Sequence, residues 1–292
     1  MMLSGPDTSQ TTTPRANPLP VLSLASAQGR RERQEDAGCA VSIDRTHDRP
    51  CFVLGVADGV GGLPKGDDAS RAGLRAAMAE LFTRVQMPDP DIEASLAAAC
   101  DAAQDKVLSL AEPGGRGPAS TLVLAVVTED VVSVAWLGDS PACIVRGAEV
   151  IVLTEPHADE SGAITAFLGH PGRPACSFEC CVLQPGDALL IMSDGVSGVL
   201  DPENLIRLVS ETEPADLARV LVDEAVLLGS QDNCTAACLV LPDPASAVIA
   251  EDGPDVFESA VPVDPPSRIR RFVLEATLRE FAVESDKECV PC

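Results

Sequence analysis

The pattern of apolar and polar residues predicts short strands in runs and helices in pairs. Ten short segments are rich in β-branched and other apolar residues and are bounded by Gly, Pro or Asp, which is typical of strands. These segments are 21–27, 38–43, 51–57, 120–127, 131–137, 142–146, 149–153, 176–183, 187–192 and 234–241. Four longer segments have the apolar spacing of helices, and they are 67–85, 90–112, 202–211 and 214–228. We therefore expect an α+β fold with two sheets and helices packed outside them.

The chain divides into one folded domain with extensions at both ends. We expect the domain to span residues 21–241, and we expect residues 1–20, rich in Ser, Thr and Pro, to be disordered. Residues 242–267 are rich in Pro, Asp and Glu and are typical of a linker. Beyond it, residues 268–292 are predicted to form a helix over 268–283 and a tail.

Composition and charge restrict the partners and the compartment. The chain has 45 acidic and 21 basic residues, a formal charge of −24, which argues against nucleic acid as a partner because a phosphate backbone needs a Lys- and Arg-rich surface. We find no apolar run of membrane-spanning length and no secretory signal pattern. The 11 cysteines are scattered through predicted strands and helices, so we expect a reducing cytoplasm. We also expect the protein to be a monomer. Cys289 and Cys292 form a C-x-x-C without a second ligand pair, which favours a free tail.

Acidic side chains recur where predicted strands meet turns. A single Asp-Gly turn has a purely structural explanation, because the carboxylate accepts backbone N–H groups while Gly takes a positive φ. Several carboxylates that converge from apolar strands without paired Lys or Arg would instead need a cation. An all-oxygen donor set favours hard cations such as Mg²⁺, Mn²⁺ or Ca²⁺ over zinc. The positions are Glu35-Asp36, Asp58, Asp139, Asp194 and Asp232.

In their order and context, these residues resemble the motifs of the metal-dependent protein phosphatases, the type 2C (PPM) serine/threonine phosphatases. The resemblance covers residues 21–241, about three-quarters of the chain. One such motif is weak, but eight in the family's order are specific. The matching segments are Arg31-x-x-Gln34-Glu35-Asp36, Asp58-Gly59-x-Gly61-Gly62, Ala119-Ser120-Thr121, Gly138-Asp139-Ser140, Leu153-Thr154-x-x-His157, Leu183-x-Pro185-Gly186-Asp187, Ser193-Asp194-Gly195 and Asp232-Asn233.

The resemblance implies a four-layer αββα sandwich with two Mg²⁺ or Mn²⁺ ions at one end. By the family's pattern, Asp58 bridges both ions, Asp194 and Asp232 complete one, and Glu35 with the Gly59 carbonyl holds the other. Asp36 contacts the metal through water, Asp139 with Asp194 resembles a third site of many bacterial members, and Arg31 resembles the phosphate clamp. The implied reaction is hydrolysis of phosphoserine or phosphothreonine by water activated between two metal ions.

Departures from the family pattern bear on specificity. Val60 stands where eukaryotic members often have His, which suggests bacterial-type chemistry. Gln34 replaces Asn or Met, and Pro141 replaces the Arg that follows Gly-Asp-Ser. The flap between Thr154 and Leu183 has only about 28 residues. His157 and His170 are expected to be structural, because the carboxylates already supply a complete site.

Three functions stay open at this point. The leading one is an active phosphatase that acts on a phosphorylated protein, a substrate of a Ser/Thr kinase. The second is a catalytically weak phosphatase-like module that binds partners through its C-terminal helix and acidic linker. The third is a partner-switching phosphatase that acts on anti-sigma-factor antagonists.

Overall fold

Two antiparallel sheets form the centre of the molecule. The computed structural model describes residues 19–44, 50–61, 65–112 and 117–243. One sheet has the strand order β1-β10-β9-β6-β7 and the other β2-β3-β4-β5-β8. The strands are β1 Val21–Ala27, β2 Asp36–Ile43, β3 Cys51–Asp58, β4 Leu122–Thr128, β5 Val131–Leu137, β6 Ala142–Arg146, β7 Glu149–Val152, β8 Ser177–Val182, β9 Ala188–Met192 and β10 Cys234–Val240.

Helices cover the outer face of each sheet. They are α1 Gly66–Val85, α2 Ile92–Leu108, α3 Asp194–Ser197, α4 Pro202–Glu211 and α5 Leu217–Leu227, the last preceded by a 3₁₀ turn at Pro214–Asp216. The apolar faces of α1 and α2 pack on the β2-containing sheet. Those of α4 and α5 pack on the β1-containing sheet. A third core fills the space between the two sheets. The predicted α+β, four-layer αββα sandwich is therefore confirmed.

Most predicted elements occur with shifted ends, and the short helix α3 was missed. The predicted strand 38–43 begins two residues earlier, at Asp36, where it pairs with β3. Both long helices begin with acidic residues. Asp91 caps α2 by accepting the N–H of Ala94, whereas Asp67 and Asp68 lie in the first turn of α1, which follows Lys65 with a left-handed φ of 62° and no side-chain cap bond.

Some predictions fall outside the described residues. These are the disorder of residues 1–18, nearly all of the linker 242–267 and the terminal segment 268–292. Within the described part of the chain, no helix is long and apolar enough to cross a membrane.

Candidate functional site

Strand register brings the predicted acidic positions to one end of the sandwich. Asp36 opens β2 directly opposite Asp58, which ends β3. In the other sheet, Met192 at the end of β9 pairs with Ala236 near the start of β10, so that the residues before β10 and after β9 meet. Ala27, at the end of β1, pairs with Cys234. Antiparallel pairing thus places Asp194, Asp232 and the β1–β2 loop beside Asp36 and Asp58.

The backbone of Asp58 is fixed by its neighbour in the next strand. Its N–H donates to Thr121 Oγ1 at 3.0 Å, and its carbonyl accepts the N–H of Thr121 at 2.8 Å. Thr121 Oγ1 is also 2.8 Å from Ser140 Oγ. The position that the sequence analysis assigned as the bridging ligand is therefore held by bonds on both sides of its peptide unit.

Burial and mutual repulsion raise the pKa values of the central carboxyl groups. For Asp58, burial raises the pKa well above its ordinary value, and the nearby charges of Asp36 and Asp194 raise it further. Burial also raises the pKa of Asp36, to about 6, against hydrogen bonds from Thr235 and Ser193 that lower it. Asp139 has a raised pKa through partial burial and the charge of Asp194. This cluster is therefore short of positive charge.

Arg31 is a cation close to Asp232, Glu35 and Asp194. Its Nη2 lies 2.5 Å from Asp232 Oδ2, and this hydrogen bond raises the pKa of Arg31, with further contributions from the charges of Glu35 and Asp194. A Cβ added to Gly61 would lie 3.2 Å from Arg31 Nη1. The guanidinium is about half exposed, so part of its fork is available to an incoming anion.

Glu35 and Gly59 lie together beside the start of α1. The carbonyl of Glu35 accepts the N–H of Gly59 at 3.1 Å and the Ser70 hydroxyl at 2.5 Å. A Cβ on Gly59 would lie 2.5 Å from the carbonyl oxygen of Gly66. Only glycine fits this close approach of backbone to backbone.

Asn233 is a site residue to which the sequence analysis assigned no role. Its Oδ1 accepts the N–H of Glu35 at 2.8 Å. Its Nδ2 donates to the carbonyls of Gln28 and Arg33 at 2.8 and 2.9 Å. One buried amide thus fastens the β1–β2 loop to the start of β10. The adjacent Asp232-Asn233 motif was the signal that could have identified it.

Ser193 orients Asp36 from the other sheet. Its hydroxyl donates to Asp36 Oδ2 at 2.8 Å and accepts the N–H of Thr235 at 2.9 Å. The second oxygen of Asp36, Oδ1, is buried and has no hydrogen-bond partner. An unsatisfied carboxylate oxygen at the centre of an acidic cluster is a position where a cation or its hydration shell would fit.

The donor set fits a hard cation, although the side chains are not drawn together as ligands. Among the residues that the structure describes, no group of three or more acidic, His or Cys side chains forms a ready metal-binding arrangement. Instead, Asp58 is hydrogen-bonded to Asp194, and Asp232 is paired with Arg31. Asp58 and Asp194 share a proton, and Arg31 supplies a positive charge to Asp232, so both contacts reduce the repulsion between the carboxylates. The available oxygens suit Mg²⁺ or Mn²⁺.

The two histidines near the flap make structural contacts. His157 Nδ1 accepts the N–H of Gly138 at 3.2 Å, Nε2 lies 2.9 Å from Ser177 Oγ, and the ring stacks on Trp136 at 6.0 Å. His170 Nδ1 accepts the N–H of Gly172. Both rings therefore hold loop backbone, in agreement with their expected structural role.

Comparison with known proteins shows similarity to protein phosphatases. The family described as protein phosphatase 2C matches residues 28–224. The serine/threonine protein phosphatase PstP of Mycobacterium tuberculosis is 26% identical over 205 residues, which are 63% of this chain and 39% of that protein. The serine/threonine phosphatase stp of Listeria innocua is 25% identical over 228 residues, 70% of this chain and 89% of that protein. The chain therefore spans well under half the length of the first relative.

Solved structures give the same answer. The catalytic domain of PstP in complex with two manganese ions superposes with a TM-score of 0.65 at 26% identity, covering 77% of this chain and 100% of that one. The PPM phosphatase MsPP of Mycobacterium smegmatis, in complex with cacodylate, gives a TM-score of 0.64 at 26% identity over 75% of this chain and 97% of that one. Because the family match covers about two-thirds of the chain, the chain belongs to the protein phosphatase 2C family.

Proposed function

We propose that the chain is a metal-dependent serine/threonine protein phosphatase of the bacterial type. The observation that carries this proposal is the convergence of Asp36, Asp58, Asp194 and Asp232 beside Arg31 at one end of the sandwich. A scaffold has no physical need for several carboxylates that are placed close enough to repel one another. The relatives named as serine/threonine phosphatases, one of them a manganese complex, support the same activity.

Each acidic residue has a proposed place in holding the ions. Asp58, Asp194 and Asp232 would hold one ion, and Asp58, Glu35 and the Gly59 carbonyl the other. Asp36 would contact the metal through water, and Asp139 with Asp194 would provide a third position. When bound, Mg²⁺ or Mn²⁺ supplies charge neutralisation and makes water a stronger nucleophile at neutral pH.

Other side chains would bind the phosphate and position the carboxylates. Arg31 presents a planar fork to the phosphate oxygens, and its partner Asp232 holds that fork over the cluster. Asn233 fixes the loop that carries Arg31. Ser193 holds one oxygen of Asp36 in place by donating a hydrogen bond to it. These contacts place the phosphate clamp and the carboxylates on the same rigid strand ends.

The partner we propose is a phosphorylated protein, a substrate of a Ser/Thr kinase, and the enzyme acts as a monomer. We propose the cytoplasm as its compartment, because no disulfide joins any of the cysteines in the described part of the chain. The folded domain proposed for this activity is 21–241, with 242–267 as linker and 268–292 as a separate terminal segment.

The test is metal titration of phosphatase activity on phosphoserine and phosphothreonine peptides. We expect turnover that depends on Mn²⁺ or Mg²⁺ and falls by at least about a hundredfold in Asp58→Asn and Asp194→Asn, since each removes a charge that holds an ion. Asp101→Asn, at an exposed position of α2, is the control and should retain activity. Activity that is absent in the wild type, or unchanged in Asp58→Asn, would favour the binding-module alternative instead.

A further inference from the structure

The β1–β2 loop carries three arginines within four residues, on a strongly acidic protein. Arg30, Arg31 and Arg33 are all exposed. Acidic residues outnumber basic ones 45 to 21 in the chain, so a basic side chain has many carboxylates with which to pair. Arg31 does so, with Asp232.

Arg30 and Arg33 differ from most other arginines of the described residues. Neither forms an ion pair with a carboxylate that the structure describes, and Glu32, between them in sequence, pairs with neither. Elsewhere in the described part, six arginines pair with an Asp or Glu: Arg71, Arg84, Arg146, Arg173, Arg207 and Arg219. The two arginines without carboxylate partners are therefore found on either side of the proposed phosphate clamp.

Their backbone and side-chain contacts hold them there. Arg30 Nη1 is 3.4 Å from Gln231 Oε1, and the carbonyl of Arg33 accepts from Asn233 Nδ2 at 2.9 Å. Gln231 and Asn233 are the neighbours of Asp232, the partner of Arg31. The loop is thus fastened to both neighbours of Asp232, and Arg30 and Arg33, which have no carboxylate partner among the described residues, lie on either side of Arg31 along this fastened loop.

We propose that Arg30 and Arg33 bind anionic side chains beside the phosphorylated residue of the substrate, so that the enzyme prefers acidic phosphopeptides. This inference rests on the proposed phosphatase function, since Arg31 is taken to bind the phosphate itself. The anionic group is a carboxylate or a second phosphate, both of which match the guanidinium fork. The overall negative charge of the protein opposes acidic peptides at long range, but 0.15 M salt screens charges beyond about 8 Å, whereas direct pairing persists better.

The test compares phosphothreonine peptides of equal length that differ only in their flanking residues. One has Glu on both sides, one Gln, one Lys, and one a second phosphoserine. For the wild type at 0.15 M salt we expect kcat/KM in the order Glu or phosphoserine, then Gln, then Lys. The double variant Arg30→Gln/Arg33→Gln should reduce the Glu-to-Gln ratio by roughly threefold to tenfold, because exposed ion pairs have modest strength. The change should appear mainly in KM, as expected for a contact made equally in ground and transition states.

A matched control removes the same charge elsewhere. Arg84→Gln/Arg219→Gln substitutes a half-buried and an exposed arginine outside the loop, and Arg84 is about 27 Å along α1 from Gly66 at 1.5 Å per residue. This variant should keep the wild-type Glu-to-Gln ratio. If this control reduces the Glu-to-Gln ratio of kcat/KM as much as the loop variant does, the net charge of the protein selects the peptide and the loop does not. That result would overturn the proposal. Equal losses on the Glu and phosphoserine peptides would indicate one site for both anions, and loss on one alone would identify the preferred group.

Failure of the inference is separable from failure of the proposed function. Hydrolysis of p-nitrophenyl phosphate with a Glu-to-Gln ratio of one in the wild type would leave the phosphatase assignment standing and refute the role of the arginines. If no substrate is hydrolysed, fluorescence polarisation of the labelled Glu and Gln phosphopeptides decides the question. Tighter binding of the Glu peptide that disappears in Arg30→Gln/Arg33→Gln would support the anion-binding role, and equal binding would refute it.

Discussion

Asp36 offers a direct measure of how strongly the acidic cluster opposes folding in the absence of metal. Its carboxyl group is 4% exposed, and burial raises its pKa from 3.8 to about 6. The folded state therefore holds the proton more tightly than the unfolded chain between these two values. Stability from this group is fully present below about pH 4 and is lost as the pH rises through 6.

The magnitude follows from the same two values. A pKa higher by about two in the folded state corresponds to about 3 kcal/mol at pH 7, at about 1.4 kcal/mol per unit. At pH 5 about half of this penalty is present, because the group is only partly ionised in the folded state. Asp36→Asn removes the charge and keeps an oxygen that can accept from Ser193. In metal-free protein we expect the variant to be more stable than the wild type by up to about 3 kcal/mol at pH 7 and about half as much at pH 5.

Urea denaturation with EDTA, followed by far-ultraviolet circular dichroism at both pH values, measures the difference. Asp101→Asn, which removes an exposed charge from α2, should change the free energy of unfolding by no more than about 0.5 kcal/mol. Saturating Mn²⁺ should stabilise the wild type more than Asp36→Asn, since only the wild type presents the full carboxylate set. A variant that is less stable than the wild type at both pH values would refute the reasoning, because ionisation of the buried Asp36 carboxyl group would then carry no net cost in the folded state.

Three further substitutions test contacts that support the fold and the loop that carries Arg31. Arg146→Met should cost about 3–5 kcal/mol in urea denaturation, because it leaves the 1% exposed Asp187 carboxylate without the guanidinium that lies 2.6 Å away. Asn233→Ala should raise KM for phosphopeptides, because the loop that carries Arg31 loses three hydrogen bonds. An unchanged KM would contradict this prediction. Leu168→Ala should cost about 2–5 kcal/mol at a fully buried flap position, whereas Leu227→Ala, at a position 79% exposed, should be nearly neutral by the same denaturation assay.

The sheets could be predicted from the sequence because their strands are short apolar runs with clear boundaries. The strand predicted at 131–137 occurs as Val131–Leu137, between turn residues on both sides. The start of β2 was missed by two residues, since Asp is a poor strand former and only pairing with β3 extends the ladder to Asp36. Helix α3 has four residues, too few for any apolar period. The start of α1 at a left-handed Lys65 has no sequence signal of the usual capping type.

The acidic residues of the site could be named in advance, but their contacts could not. Motif order identifies Asp58 and Asp232, since each follows or precedes a recognisable strand. The pairing of Arg31 with Asp232 joins residues 201 positions apart, and the role of Asn233 likewise depends on how two distant segments meet. Such contacts are set by tertiary packing, which local patterns do not encode.

The position of Asp58 shows why the fold and the proposed chemistry depend on the same bonds. Residues Cys51–Ala57 of β3 are all buried, and the strand is paired along its length with β2 on one side and with β4 on the other, so its register is fixed from both sides. Its last residue is tied through both N–H and carbonyl to Thr121. The backbone of Asp58 is therefore held beside Asp36 and Asp194, and the pKa of Asp58 is raised first by its burial and then by the charges of these two neighbours. The rigidity that makes the metal-free carboxyl group unfavourable is what would keep it in place for a pair of cations, because a loosely held carboxylate would relax away from its neighbours and lose its affinity for them.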